Sequence, residues 1–391
     1  MEYQILCHYD EIALKGKNKD MFERALIRMI DLQAKRHSID NTVTKIYKGQ
    51  GRVHIDVQID TEEIIEAWEK MLQNVFGIAY IGIARVTSAD ISTMIDLSNE
   101  LLSTESFESF RVQTKRSNKT YPITSPEINR QVGAGIFQVT PKKVDLKHPD
   151  ITVWIEIIAH KAYIYIHKSP GPGGLPVGTQ GKAIILMSGG IDSPVAAYYA
   201  QKRGLSPIFV HFHSYPYTND ASIDKVKKLT AISGKYAKQA YLYLAPLADA
   251  QKKVVLFAPE KYRIIIYRRL MMRAANMLAS RLGAKTIITG EALGQVASQT
   301  IENMTTVEAV SKRLILRPLI GFDKHEIIKK AKEIGTFDTS IIPHDDCCSL
   351  FTPKKPAIYT TIQELEEIEK DLPIEEMIQD IIDRTEKEQI L

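Results

Sequence analysis

The sequence predicts a molecule in two parts, an α+β N-terminal half and an α/β half built on a parallel sheet with helices on both faces. Three observations carry that expectation. Residues 169–181 hold five glycines and three prolines in thirteen positions and read as an ordered linker without regular structure. Before them, alternating strand patterns mix with helix patterns. After them, short continuous apolar runs alternate with helices, the rhythm of strands buried on both faces. At 391 residues the chain is long enough for two or three cores.

In the first half, residues 52–59 alternate apolar and polar positions (Val53, Ile55, Val57, Ile59), as a half-buried strand does. Residues 60–72 follow as a helix, with Asp60, Glu62 and Glu63 at the positive end of its dipole. The β-branched and aromatic runs 151–158 and 162–167 form a hairpin around Ala159-His160-Lys161. In the second half, strands are expected at 183–187, 207–212, 240–244 and 285–289, and helices at 195–203, 224–237, 260–282 and 323–334. The long helix carries Arg263, Arg268, Arg269 and Arg273, which either face solvent or aim at an anion.

Composition is that of an ordinary soluble protein, 44% hydrophobic and 25% charged. No run approaches the roughly 18 apolar residues of a membrane helix, and the N-terminus lacks a basic segment followed by an apolar one. The three cysteines, Cys7, Cys347 and Cys348, are too few for a disulfide framework and fit a reducing cytosol. A cytoplasmic protein without membrane contact is therefore expected. The net charge of +4 conceals a division. Between Arg111 and Lys147 stand eight basic residues (Arg111, Lys115, Arg116, Lys119, Arg130, Lys142, Lys143, Lys147) against Glu127 and Asp145, a balance of +6. Residues 361–391 hold eleven acids against three bases, a balance of −8, so the rest of the chain is +12. A basic stretch among hydroxyls and amides suits phosphate neutralisation; a merely solvated surface would give the same count.

The strand at 183–187 runs into Ser188-Gly189-Gly190-Ile191-Asp192-Ser193 and then a helix. Such a turn presents unpaired N–H groups at a helix N-terminus, a site for anions. Gly189 and Gly190 admit close approach of phosphate, and Ser188 and Ser193 add hydroxyls. Asp192, a carboxylate beside phosphates, would hold Mg²⁺ or cap the helix. No Lys-Ser/Thr follows and there is no G-x-G-x-x-G, so this is neither a Walker loop nor a dinucleotide fingerprint.

The run Ser188–Ser193 resembles the signature of the PP-loop ATP pyrophosphatases, which cleave ATP between the α and β phosphates to adenylate an oxygen. With residues 290–300 (GEALGQVASQT) and Arg317-Pro-Leu-Ile320, the likeness narrows to the tRNA 4-thiouridine synthetases of the ThiI family. Residues 110–119, 125–130 and 144–149 resemble a THUMP domain, an RNA-binding module, and residues 14–18 resemble the ferredoxin-like segment that opens the same family. The likeness implies a ferredoxin-like domain at 1–60, a THUMP domain at 61–168, the linker at 169–181 and a PP-loop domain at 182–391. It implies ATP-binding positions at Leu186, Met187, Ser188, Gly189, Gly190, Asp192, Ser193, His211, Phe212, Arg268, Gly290 and Gln299. Lys15 and Lys17, with Arg111, Lys115, Arg116, Lys119, Arg130, Lys142 and Lys143, become the expected RNA contacts.

The pair Cys347-Cys348 follows Asp345-Asp346. A vicinal disulfide is strained, and a zinc site with His344 lacks the usual ligand spacing. The resemblance gives the Cys347 position a role beside the adenylated uridine, so Asp192, Cys347 and Cys348 are the expected catalytic residues. In long family members a C-terminal rhodanese domain receives the persulfide. The sequence runs about forty residues past Cys348, which reads as a short form taking sulfur from a cysteine desulfurase or as sulfide. The expected reaction makes 4-thiouridine at tRNA position 8 with ATP and Mg²⁺. A sulfur carrier for thiazole and thiamine synthesis and a second copy of the chain, as a homodimer, are further expected partners. Another PP-loop tRNA-modifying enzyme or a non-catalytic tRNA-binding protein is the alternative.

Overall fold

The computed structural model describes residues 3–59, 61–117, 121–217, 220–343 and 355–391. Asp60, Lys119, His344, Asp345, Asp346, Cys347 and Cys348, all named above, lie outside them. The chain divides into two compact units, Met1–Pro176 and Val177–Leu391.

The first unit is one nine-stranded mixed sheet with four helices. Its strands are β1 (Tyr3–His8), β2 (Val43–Gly49), β3 (Arg52–Val57), β4 (Tyr80–Ser88), β5 (Ser109–Arg116), β6 (Lys143–Val144), β7 (Ile151–Ile158), β8 (Lys161–Tyr165) and β9 (Lys168–Pro170). They run in the order β2-β3-β1-β4-β8-β7-β5-β6, with β9 also on β4. Helices α1 (Lys19–Arg36), α2 (Glu62–Leu72), α3 (Ile91–Leu102) and α4 (Ser125–Val139) complete it. The expected hairpin is β7–β8, paired Ile158 to Lys161 at its tip. The side chains of β5, β7 and β8 alternate. Phe110, Val112, Val153, Ile155 and Ile157 form an apolar core with Met94 of α3 and Ile128, Val132 and Ile136 of α4, while Gln113, Trp154 and Glu156 take the other face. The linker departs from expectation at its start: Ser169 and Pro170 pair with Ile81 and Tyr80, because a proline is tolerated at the end of a short edge strand.

The second unit holds a six-stranded sheet. Strands β10 (Lys182–Leu186), β11 (Ser206–His213), β12 (Tyr241–Pro246), β13 (Thr286–Ile288) and β14 (Leu314–Leu316) are parallel, in the order β14-β13-β10-β11-β12. The sheet is not wholly parallel as expected: β15 (Glu386–Gln389), from the acidic tail, adds an antiparallel edge to β12. Its Glu-Lys-Glu-Gln sequence has no apolar alternation to announce a strand. The helices are α5 (Asp192–Lys202), α6 (Asp220–Gly234), α7 (Ala248–Phe257), α8 (Arg263–Leu282), α9 (Ile301–Glu308), α10 (Lys324–Ile334), α11 (Phe337–Ser340), α12 (Ile362–Glu369) and α13 (Ile374–Asp383). Helix α5 begins three residues earlier than expected, since Pro194 in its first turn needs no N–H partner. Ile184, Val210 and Phe212 pack with α7, α8 and α13, whereas Phe209, on the opposite face, reaches Gly234 of α6. The chain returns from β12 to β13 on the far side of β10, so strand order reverses beside β10. Open α/β sheets bind ligands at such a point, outside the carboxyl ends of the strands.

Candidate functional site

Strand β10 is fixed by burial of Ala183, Ile184 and Ile185, the large ones contributing roughly 2 kcal/mol each. It ends at Leu186, and the next residue, Met187, donates its N–H to Val210 O at 2.8 Å. His211 Nδ1 lies 2.8 Å from Met187 O, so this buried ring holds the strand end at the mouth of the loop. Phe212 is in the core. Neither His211 nor Phe212 lines the cavity described below.

The loop 188–193 is tied by its own hydroxyls. Ser188 N donates to Ser193 Oγ at 2.9 Å, Gly190 N to Ser188 Oγ at 3.3 Å, and Ser193 Oγ to Ser188 O at 3.2 Å. Ser193 thus spends its hydroxyl on shaping the turn. The residue preceding α5 is Ile191, without a side-chain cap, so Asp192 does not cap the helix. Its carboxylate takes Lys324 Nζ at 2.6 Å and Gln295 Nε2 at 2.9 Å. Lys324 opens α10, whose first turn is closed by the reciprocal Asp323–Glu326 capping box. A lysine and a helix N-terminus therefore meet at the loop, a positive corner for phosphate.

Beside the loop is a cavity of about 300 Å³. Leu186, Ser188, Ser193, Arg268, Gly290 and Gln299 line it, together with Ile264, Met271, Met272, Glu291 and Val296. Ile264, Arg268, Met271 and Met272 stand at i, i+4, i+7 and i+8 of α8, one face of the helix. This spacing is visible in the sequence, but Ile264, Met271 and Met272 carry nothing there that sets them apart from core residues. Arg268 pairs with buried Glu291 and donates to Ser298 O at 2.6 Å. Glu291 also takes Arg317 Nε at 2.7 Å and Thr289 Oγ1 at 2.8 Å. Gln299 Oε1 is buried without a hydrogen-bond partner among the described residues, an acceptor available to a ligand donor. The other four arginines of α8 are engaged within the protein: Arg263 donates to Val255 O and Ala258 O, Arg269 and Arg273 both bind Glu369, and Arg281 lies 3.6 Å from Asp383.

The face of the nine-stranded sheet opposite α3 and α4 carries aromatic and basic groups. Arg111 lies over Trp154 at 5.9 Å; Lys168 sits 3.7 Å from the Tyr80 ring centroid and 4.8 Å from that of Trp154. Desolvation, then the charges of Arg52 and Lys168, hold the Lys115 ammonium below its ordinary pKa. Arg52 is buried and pairs with Glu156, which also accepts Tyr165 Oη at 2.8 Å. His8 Nε2 lies 2.8 Å from the same carboxylate. Burial, then nearby Arg52, Lys115 and Lys168, hold His8 neutral, so this contact is no ion pair. Arg116 points to the helical face, where it donates to Tyr121 O and Ile123 O, both at 2.9 Å. Lys15 pairs with Glu11, Arg130 with Glu127, Lys142 with Glu108 and Lys143 with Asp145, while Lys17 is exposed on a 3₁₀ turn. The expected RNA residues thus do not share one face. Cys7 is buried on β1, where desolvation pushes its thiol pKa far up, as suits a structural residue. No helix among the described residues is long and apolar enough to cross a membrane.

Three family models match the chain: the ThiI ferredoxin-like domain over residues 4–82, the THUMP domain over 88–167, and the thiamine biosynthesis protein (ThiI) over 178–374. The chain is 40% identical over 382 residues to a protein of Thermoanaerobacter pseudethanolicus named "Probable tRNA sulfurtransferase", covering 97% of this chain and 98% of that one. The Thermus thermophilus protein of the same name is 37% identical, with 95% and 89% covered. Among solved structures, a 4-thiouridine synthetase in complex with RNA and with bound ATP superposes with a TM-score of 0.89 at 35% identity, both chains covered completely. A Pyrococcus horikoshii protein superposes at 0.68 with 25% identity, covering 86% of this chain and all of that one. With this identity sustained over nearly the whole length, and with a ferredoxin-like segment, a THUMP domain and a PP-loop domain in that order, the chain belongs to the ThiI family.

Proposed function

We propose that the protein is an ATP-dependent tRNA uridine 4-sulfurtransferase that adenylates O4 of the uridine at tRNA position 8 and replaces it with sulfur. The observation that carries this reading is the cavity between the phosphate loop and the α8 stripe. It joins an anion-binding corner to an apolar wall of the size a nucleotide needs, in a chain alike throughout to a 4-thiouridine synthetase that binds ATP. The triphosphate would lie on N–H groups of 188–193 other than those of Ser188 and Gly190, beside Lys324, with the adenosine against Leu186, Met271 and Met272 and a donor on Gln299 Oε1. Met187, Gly189 and Gly190 shape the strand end and turn, and His211 braces them.

Magnesium ordinarily binds through one or two carboxylates plus substrate phosphates. Asp192 offers one partly exposed carboxylate beside the loop, which fits that mode. Bound there with the nucleotide, the ion would neutralise phosphate charge. Lys324 and the loop amides stabilise the charge that develops on pyrophosphate as uridine O4 attacks the α-phosphorus.

In the second step a persulfide on Cys347 would deliver its terminal sulfur to C4 while AMP leaves with the oxygen. An external thiol then attacks the Cys347 sulfur, freeing 4-thiouridine and leaving a mixed disulfide that a second external thiol reduces. A cysteine desulfurase in the cytosol is the proposed sulfur source. Transfer to a carrier protein for thiazole synthesis is a second role, favoured by the family model's description as a thiamine biosynthesis protein. The tRNA would contact the sheet face of the first unit opposite α3 and α4 through Arg111, Lys115 and Lys168. The target base must leave its stack to reach the second unit.

Purified protein with tRNA, ATP, Mg²⁺ and a desulfurase with cysteine is expected to form 4-thiouridine, read by its near-UV absorbance, with one AMP per thiouridine. No thiouridine with either desulfurase or sulfide as donor overturns the reading.

A further inference from the structure

Among the described residues lining the nucleotide cavity, Glu291 is the one acid and Arg268 the one base. Glu291 is 4% exposed, a place a carboxylate takes only when it is paired. It stands shortly after β13, next to Gly290, which abuts Ser193 of the phosphate loop. Both of its oxygens are engaged within the protein. Oε1 pairs with Arg268 Nη2. Oε2 accepts Arg317 Nε at 2.7 Å and Thr289 Oγ1 at 2.8 Å. Arg317 follows β14, is not a lining residue, and continues through Nη1 to Glu308 at 2.7 Å.

A buried carboxylate is costly unless hydrogen bonds and counter-charges satisfy it, and three donors do so here. Engaged in this way, Glu291 acts on its neighbours rather than on a ligand. Arg268 has a second fixed point, since its Nη1 donates to Ser298 O at 2.6 Å. A guanidinium is a rigid plane, so two anchors set its orientation. The charge balance points the same way. Glu291 is shared by two guanidinium groups, and Glu308, the other acid on Arg317, is 51% exposed. The carboxylate therefore holds Arg268 without cancelling the positive charge that it brings to the cavity wall. A donor oriented before the ligand arrives needs no reorganisation when it binds.

We infer that Glu291 is a positioning residue for the nucleotide: it holds the Arg268 guanidinium in the orientation that ATP meets, and acts through Arg268 rather than on ATP. The inference rests on the reading of this cavity as the ATP site. Charge and orientation predict opposite signs for one substitution. If Glu291 mattered only as a negative charge, Glu291→Gln would make the wall more positive and tighten ATP. If it orients Arg268, the same change weakens ATP, because the amide must turn an N–H toward Arg268 Nη2 or toward Arg317 Nε and Thr289 Oγ1.

The test is a double-mutant cycle on the whole protein, with the dissociation constant of ATP in the presence of Mg²⁺ read by calorimetry without tRNA. Glu291→Gln should raise that constant about tenfold, and Arg268→Met at least as much, as loss of a charge-assisted contact does. The double variant should stay within about twofold of Arg268→Met alone, since the two residues act as one. Arg317→Met loosens Glu291 from outside the cavity. It should raise the constant about two- to fivefold and lose that effect in the Arg268→Met background. It serves in place of Glu291→Gln should circular dichroism show that variant unfolded. Tighter or unchanged ATP binding in Glu291→Gln, or losses that multiply in the double variant, overturn the inference and leave the ATP site standing. If the unaltered protein binds no ATP, the reading of the cavity falls and the inference falls with it.

Discussion

Gly290 occupies a position where a methyl group does not fit. A Cβ there would stand 2.8 Å from Ser193 N and 3.0 Å from the carbonyl carbon of Asp192. Both are backbone atoms of the phosphate loop and the first turn of α5, so neither can rotate away. The glycine thus sets how closely the end of β13 approaches the loop, and the cavity exists at that spacing. Gly290→Ala would push the loop off its position at a strain of about 1–3 kcal/mol. The expected outcome is a rise of tenfold or more in the ATP dissociation constant, measured by calorimetry, with RNA affinity changed much less, because the proposed phosphate contacts of the RNA lie on the first unit. Asp192 shows how one residue's role depends on partners far off in sequence. Nothing local to the loop announces Lys324, which follows it by more than a hundred residues, yet the pair brings cation and carboxylate to one corner.

Helix α8 has two functional faces. Ile264, Arg268, Met271 and Met272 line the cavity. Arg269 and Arg273 turn to α12, where Glu369 accepts from both: Arg269 Nε at 2.7 Å and Nη2 at 2.8 Å, Arg273 Nη1 at 2.8 Å and Nη2 at 2.6 Å. Burial alone would raise the Glu369 carboxyl, but the hydrogen bonds and charges of Arg273 and Arg269 outweigh it and hold the pKa down. Arg269 is almost fully buried, so Glu369→Ala would leave a guanidinium without its counter-charge. We expect a loss of roughly 3–5 kcal/mol, read from urea unfolding, and recovery of most of it in Arg269→Met with Glu369→Leu. The pairing also marks what could be read in the sequence and what could not. The strand–loop–helix at 182–202 is local, written in apolar runs and glycines, and so was legible with its place in the fold. The arginines of α8 were legible as a group, but their partner is about a hundred residues away and carries no local pattern. His211 and Phe212 were placed correctly at the end of a strand, yet β11 is buried on both faces, and packing rather than position directs Phe212 into the core.

At the scale of the whole molecule, the charge total of +4 is a difference between a basic body and an acidic tail. The tail is structural: it supplies α12, α13 and the edge strand β15, and its Glu369 and Glu388 pair with Arg269 and Lys227. The basic residues divide as well. Arg116 is spent on the carbonyls of Tyr121 and Ile123, and Arg130, Lys142 and Lys143 face neighbouring acids. Arg111, Lys115 and Lys168 stand with Trp154 and Tyr80 on the sheet face opposite α3 and α4, and Lys115 is already destabilised as a cation by desolvation and then by its basic neighbours. A phosphate would relieve that repulsion, and each phosphate contact releases counterions, so affinity should depend on salt in proportion to the contacts made. Replacing Arg111, Lys115 and Lys168 together by alanine should lower the slope of log K for tRNA against log salt by about two to three, at roughly 0.7–0.9 per contact. Arg116→Ala, which removes a cation of equal charge from the same strand, should leave the slope unchanged and instead lower the melting temperature. Equal slopes for the triple variant and the unaltered protein would move the RNA off this face.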